Sequence, residues 1–304
     1  MFNNILKAKR LTALRVDIRV FLLRSGTGFT LLEILVIIAI IGIAANFAIV
    51  YVQKGREDAR LAGAKQFSRS ILNVLGSEGQ LGWTFESISG SSVTDILGGN
   101  NAGTIEGNPN VVPGIIGKAL NFDGTGDAVE LDLVSADWSG NFTVSFWVKA
   151  NSVTQTEGAG LFASSNSGGQ RGFFQIVAGE TDNCYKQYRF DGRATEGGGG
   201  NLLHICLGPI TTDWHHIAVT FDGTTVTTFY DGKKANSGSD IGFTFGLFND
   251  YVVGHNFFPS NKLHFNGIID ELYIFKQALS LAEVQKMYAE WVELKKIAER
   301  PVRY

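Results

Sequence analysis

The residues best suited to chemistry in this chain are carboxylates spaced along a glycine-rich stretch. Asp123-Gly124-Thr125-Gly126-Asp127 offers two carboxylates and several turn carbonyls within five positions, a donor set that suits calcium and its six to eight oxygen ligands. The same residues also suit a plain turn in which Asp123-Gly124 shapes a hairpin. Just beyond, Glu130 and Asp132 alternate within Glu130-Leu131-Asp132-Leu133. Period-two geometry puts them on one strand face, where a glycoside hydrolase would carry its acid and base, but Val134, Ser135 and Ala136 supply no third acid. His215 and His216 are adjacent in an alternating run, so they point to opposite faces and cannot ligate one metal together. One is expected buried and hydrogen-bonded, the other exposed. His204, His255 and His264 stand isolated, and no GxSxG, Walker or HExxH pattern occurs. No catalytic centre is expected, and the chain reads as a non-enzyme.

Weaker signals for binding lie in the loop Gly254–Asn261. His255, Phe257 and Phe258 combine aromatic rings with neighbouring amides, as sugar recognition requires, with Thr195–Asn201 as a flexible rim. Rings folded into the core are the competing account. Cys184 and Cys206, the only cysteines, fall in adjacent predicted strands, and a disulfide between them is open in an oxidising compartment. Glu33 stands alone as a charge inside an apolar run, where an unpaired carboxylate costs about 2.5 kcal/mol or more.

The elements that must position these groups follow from pattern. From Phe29 to Val52 the sequence is almost wholly apolar, enough for one helix across a bilayer core of about 30 Å. Lys7, Lys9, Arg10, Arg15, Arg19 and Arg24 precede it, opposed only by Asp17, which keeps that end cytoplasmic and the remainder outside. Leu61, Ala64, Phe67, Ile71 and Leu75 then recur at helical spacing, so the helix is expected to reach Leu75 as a rod of about 70 Å. Gly55 and Gly63 weaken it by about 1 kcal/mol each unless packing compensates. Gly76-Ser77-Glu78-Gly79 stops it. Beyond, 37 glycines against 5 prolines in 304 residues favour many tight turns. Phe142, Val144, Phe146 and Val148 alternate with Thr143, Ser145, Trp147 and Lys149, and Asp222-Gly223 joins two further strand runs. Roughly a dozen strands predict a two-sheet sandwich. A net charge of −3 gives no basic field for nucleic acid.

Gly28-Phe29-Thr30-Leu31-Leu32-Glu33 followed by an aliphatic helix resembles the processing site of type IV pilins and type II secretion pseudopilins. The resemblance implies that a prepilin peptidase cuts after Gly28 and methylates the amine of Phe29. It also implies that Glu33 pairs with the terminal amine of a neighbouring subunit during filament assembly. Val50 departs from the pattern, standing where many such chains bend at a proline.

A second resemblance covers residues 81–289. It rests on Leu81-Gly82-Trp83-Thr84-Phe85-Glu86, Gly117–Gly124, Phe142–Lys149, Trp214–Gly223 and Phe265–Phe275, with Ala278-Leu279-Ser280 before a short helix. These are similar to laminin-G-like, concanavalin A-like lectin domains. That family implies a jelly-roll sandwich whose first strand, near Trp83, lies beside the last, near Ile274. It also implies a structural calcium at one edge, with Asp123, Asp127 and Asp270 as candidate ligands; local capping by Asp270 is the alternative.

The expected chain is therefore mainly β. A leader (1–28), a membrane-spanning and amphipathic helix (29–75), a linker (76–80), a laminin-G-like sandwich (81–289) and a helical tail (290–304) follow in order. The function expected is a filament subunit displaying a binding head, with a membrane-anchored carbohydrate-binding adhesin as the alternative and an anchored hydrolase behind both. Prepilin peptidase, sister pilins, the inner membrane and a glycan are the expected partners. The head is expected outside the cytoplasmic membrane, and on an extracellular filament after assembly.

Overall fold

The computed structural model describes residues 30–75, 81–97, 101–131, 140–165, 173–179, 182–193, 203–239, 250–256 and 262–299. The leader, Gly28, Phe29 and the linker lie outside these residues. The chain divides after Val52 into two units.

One helix, α1, runs from Leu31 to Leu75 over 45 residues. Thr30 caps it: Glu33 N donates to Thr30 Oγ1 at 3.3 Å, while Thr30 N and Oγ1 donate back to Glu33 Oε2 at 2.9 and 3.0 Å. That reciprocal arrangement satisfies donors that a helix start leaves without intrahelical partners. Leu31–Ile49 is long and apolar enough to cross a membrane, and none of it is buried. In the second unit, Gly63 leaves room for Leu294, whose Cδ2 would sit 3.3 Å from a Cβ at that position; Gly55 has no such neighbour.

The body is a sandwich of two antiparallel sheets. Sheet A contains β1 (Leu81–Trp83), β5 (Asn110–Pro113), β6 (Lys118–Asp123), β8 (Phe142–Ala150), β13 (His215–Phe221), β14 (Thr225–Tyr230), β15 (Lys233–Ser239) and β17 (Asn266–Phe275). Its order is β15-β14-β13-β8-β17-β6-β5, with β1 also on β17. Sheet B contains β2 (Ile88–Ser89), β3 (Ser92–Thr94), β4 (Ala102–Glu106), β7 (Ala128–Leu131), β9 (Gly160–Ser165), β10 (Phe173–Gly179), β11 (Gln187–Arg193), β12 (Leu203–Pro209) and β16 (Asp250–Val253). It runs β12-β11-β10-β9-β16-β7-β4-β3-β2.

Alternation explains what fills the space between the sheets. Phe142, Val144, Phe146 and Val148 meet Phe174, Ile176, Tyr188, Phe190 and Tyr251 there. The opposite face of β8 is buried as well. Trp147 joins a second apolar layer with Phe275, Val284, Met287 and Trp291, because helix α2 (Leu281–Glu299) lies over that side of sheet A. Ser280 and Glu283 cap α2 reciprocally, as Thr30 and Glu33 cap α1. The helix is continuous across the expected boundary at 289/290, and Trp291 is buried, so the first half of the expected tail belongs to the body.

Strand β1 is held from two sides. Leu81, Gly82 and Trp83 pair with Ile274, Tyr273 and Leu272, which puts the first strand beside the last as the resemblance implied. On its other edge Gly82 N donates to Asp95 Oδ1 at 3.0 Å and Gly82 O accepts from Ile96 N at 2.9 Å.

Candidate functional site

On sheet B the face opposite the core carries one row of residues in register across seven strands. Thr104 pairs with Glu130, Glu130 with Val252, Val252 with Ala163, Ala163 with Gln175, Gln175 with Asp191 and Asp191 with His204. Strand alternation places these side chains on one side. The middle of the row is small and buried, with Ala163, Val252 and the adjacent Ala128 forming their own apolar cluster. Its β10–β12 end is ionic.

There, Asp191 collects N–H donors. Arg189 gives it Nε at 2.6 Å and an NH2 nitrogen at 3.0 Å, His204 approaches through Nδ1 at 2.6 Å, and Gln175 Nε2 donates at 3.3 Å. Arg189 also donates to Glu157 at 2.9 Å. Burial works against charge on Arg189, but its contacts with Asp191 and Glu157 outweigh it and raise the guanidinium pKa. Arg189 and Asp191 are buried, whereas the side chains of Glu157 and His204 are each 36% exposed. Since Nδ1 of His204 is committed to Asp191, any further ligand meets that ring at Nε2.

Cys184 and Cys206 form a disulfide with a Cα separation of 5.3 Å. Cys184 ends a 3-10 turn, Asp182–Cys184, before β11, rather than lying in a strand, and Cys206 lies in β12 opposite Arg189.

Two serine- or threonine-histidine arrangements have a structural explanation. Ser145 Oγ lies 2.8 Å from His216 Nε2, but both residues are buried beneath Trp147 and Tyr288. Burial lowers the His216 pKa to about 4, partly offset by Asp231. His215 contacts Thr211 Oγ1 through Nε2 at 2.6 Å and Asp231 Oδ2 through Nδ1 at 2.9 Å, and it stacks on Tyr230. Asp231 sits at φ +50°, and its Oδ1 also accepts from His216 N. These contacts fasten the β14–β15 turn to β13. The histidines do point to opposite faces.

The expected calcium ligands do not converge. Asp123 Oδ1 accepts from Thr125 N and Oγ1 at 2.6 and 3.0 Å; Asp127 accepts from Asn108 N at 2.8 Å and Asp123 N at 3.1 Å. Each carboxylate is therefore occupied by its own loop. Asp123 pairs with Asn266, so Asp270 lies four residues further along β17, about 13 Å away. Its Oδ2 accepts from Ile115 N at 2.9 Å and Ile116 N at 3.5 Å, and its Oδ1 from Glu271 N at 2.8 Å. No group of three metal-ligating side chains occurs among the described residues. In this structure Asp123 and Asp127 shape their own turn, while Asp270 lies apart from them as a buried acid.

That acid belongs to a cluster which sequence reading missed. Asp270 and Glu271 are both buried, and Glu271 sits in a bulge of β17 at φ +54°. Tyr273 OH donates to Glu271 Oε2 at 2.7 Å, and Oε1 has no partner among the described residues. Glu86 accepts from Lys118 N at 2.7 Å nearby. Gly114 and Gly117 let this turn wrap the acids, since a Cβ at either would collide with the carboxylate of Asp270 or Glu86. Desolvation, then repulsion among the acids, raises both buried pKa values well above normal.

The expected sugar-facing loop also changes. His255 is buried, with Nδ1 2.6 Å from Asn256 O and its ring edge-on to His264, and burial lowers its pKa to about 4. It supports the β16–β17 connection; Phe257 and Phe258 lie outside the described residues. Glu130 is exposed on β7, while Asp132 also lies outside them.

A family model described as the concanavalin A-like lectin/glucanases superfamily, in its laminin-G form, matches residues 123–285. The chain belongs to that superfamily. Among solved structures it is similar to domain 4 of AbnA, a GH43 extracellular arabinanase from Geobacillus stearothermophilus, in complex with arabinotriose. The TM-score is 0.54 and the identity 23%, over 68% of this chain and 97% of that one. It is also similar to the binding domain of botulinum neurotoxin DC in complex with rat synaptotagmin II, with a TM-score of 0.52 and 15% identity over 71% of this chain; this chain covers 52% of that domain. These likenesses concern the fold. No curated protein matches the chain.

Proposed function

We propose that this chain is a pilin-like filament subunit, held in the cytoplasmic membrane before assembly, whose sandwich head binds carbohydrate outside the cell. The observation that carries the first half is α1 itself. Its first 19-residue stretch is apolar and entirely exposed, a surface that water does not tolerate and that lipid or sister helices would cover. The cap of α1 uses Oε2 of Glu33, and in this reading Oε1 meets the amine of a neighbouring subunit. Prepilin peptidase is the processing partner in this reading. For the head, the superfamily match and the likeness to an arabinotriose-bound domain support a saccharide ligand. Anchoring without assembly is the second reading, because the exposed apolar span suffices for it.

Mass spectrometry of sheared surface material tests the assembly. The chain is expected there with a methylated Phe29 at its N-terminus, and Glu33→Ala is expected to be cut but poorly incorporated. A chain confined to the membrane fraction with an uncut leader, in cells that possess the peptidase, would refute the filament reading and leave the anchored one. Glycan-array binding by the whole chain in detergent tests the head.

A further inference from the structure

We propose that Glu157, Arg189, Asp191 and His204, with Tyr185 on the turn that leads into β11, form a subsite for a neutral saccharide on the outer face of sheet B. The inference rests on the reading that the head binds carbohydrate, and adds where it binds and through which groups.

An ion pair sunk into a sheet face is a poor device for stability, because desolvating its charges offsets their attraction and apolar residues of similar size serve as well. What this pair does supply is orientation. A carboxylate has about four acceptor positions, and Asp191 fills them with two nitrogens of Arg189, one of His204 and one of Gln175. It is saturated and acts as a positioning residue. Two groups of the cluster reach the surface: the Glu157 carboxylate, held by Arg189 among its partners, and the His204 ring, turned so that Nε2 is its remaining polar atom.

An aromatic ring stands on the turn that leads into β11. Cys206 is the register partner of Arg189, and its disulfide ties down the turn that ends at Cys184. Tyr185 follows directly and is 59% exposed. Its turn is rigid: Lys186 is held at φ +53°, its carbonyl accepts from Ile210 N at 2.9 Å, and its ammonium lies over the Tyr185 ring at 5.4 Å. A carboxylate acceptor, an imidazole of fixed orientation and a flat ring suit hydroxyls and the apolar face of a sugar. Two carboxylates, Glu157 and Asp191, are balanced by the guanidinium of Arg189 and the ammonium of Lys186, which leaves no surplus of cations to hold uronic acids or sulfated sugars.

The test uses the full chain in detergent on an array of neutral and acidic oligosaccharides. Wild type is expected to retain neutral glycans, with His204→Ala and Tyr185→Ala each weakening retention about tenfold or more at unchanged melting temperature. His204→Gln, which keeps a hydrogen-bonding group, should recover part of the loss. Asp191→Asn should shift the imidazole 15N resonances of His204 as well as weaken binding, which a merely structural role would not do. Retention of glycans by His204→Ala and Tyr185→Ala at wild-type strength would overturn the subsite while the binding reading stands, as would a preference for acidic glycans. Failure of wild type to retain any glycan would overturn both.

Discussion

Replacing Glu271 with Gln tests how the buried acids are accommodated. In the folded protein Asp270 and Glu271 are desolvated, repel each other and feel Glu86, so their pKa values lie well above the usual range. An ionised Oε1 on Glu271 would have no donor among the described residues, so the pair retains a proton that the unfolded chain releases. A raised folded pKa contributes stability in full below the unfolded value, near 4.5 for Glu271, and that stability is lost as pH rises towards the folded pKa. With one proton retained on folding, the slope is about −1.4 kcal/mol per pH unit within that window. Glu271→Gln keeps an acceptor for Tyr273 OH and removes one of the two repelling charges. The variant should lose most of the slope and be more stable than wild type at pH 7.5, by about 1 to 3 kcal/mol. Denaturation of both proteins from pH 5 to 8.5 gives the slopes. Calorimetry in buffers of different ionisation enthalpy counts the proton directly at pH 7.5, where histidines contribute little. No proton release by wild type there, or equal slopes in the two proteins, would refute the reasoning.

The buried histidines should act at the other end of the pH scale. His216 has a folded pKa of about 4, below its unfolded value, so its contribution is intact above pH 6.5 and falls by about 3 kcal/mol as pH drops to 4; His216→Asn should flatten that acid limb in a pH–melting series. Replacing Cys184 and Cys206 together with Ser opens a loop with a sequence separation of 22, for which chain entropy gives a loss of about 3 kcal/mol, measurable by urea unfolding. Trp291→Ala empties a fully buried site beneath α2 and should cost about 3 to 5 kcal/mol, with near-ultraviolet circular dichroism reporting loosened aromatic packing.

Period and turn chemistry made single strands and a turn legible, and the laminin-G resemblance supplied the pairing of the first strand with the last. The alternation in Phe142–Lys149, the Asp222-Gly223 turn and the adjacency of Trp83 to the last strand reappear as β8, the β13–β14 hairpin and the β1–β17 ladder. What escaped were meanings fixed by distant partners. Asp270 is defined by amides 155 and 154 residues away, and the row from Thr104 to His204 is visible only once seven strands are in register. His204 looked isolated because Asp191, itself held by Arg189, reaches it across a strand pair. One signal was local: Thr30-x-x-Glu33 has the spacing of a capping box, set at the head of an apolar segment where its carboxylate also reads as a membrane charge.

The double fastening of β1 has a mechanical consequence. The sandwich begins at Leu81, so a pull on the chain that reaches this point would be taken up by β1. A three-residue ladder to β17 resists that pull together with the clip of Gly82 to Asp95 and Ile96 and the anchorage of buried Trp83. Because β17 is an interior strand flanked by β8 and β6, the load passes into the middle of a sheet rather than to a peelable margin. The entry point of the head is thereby built as a strain relief.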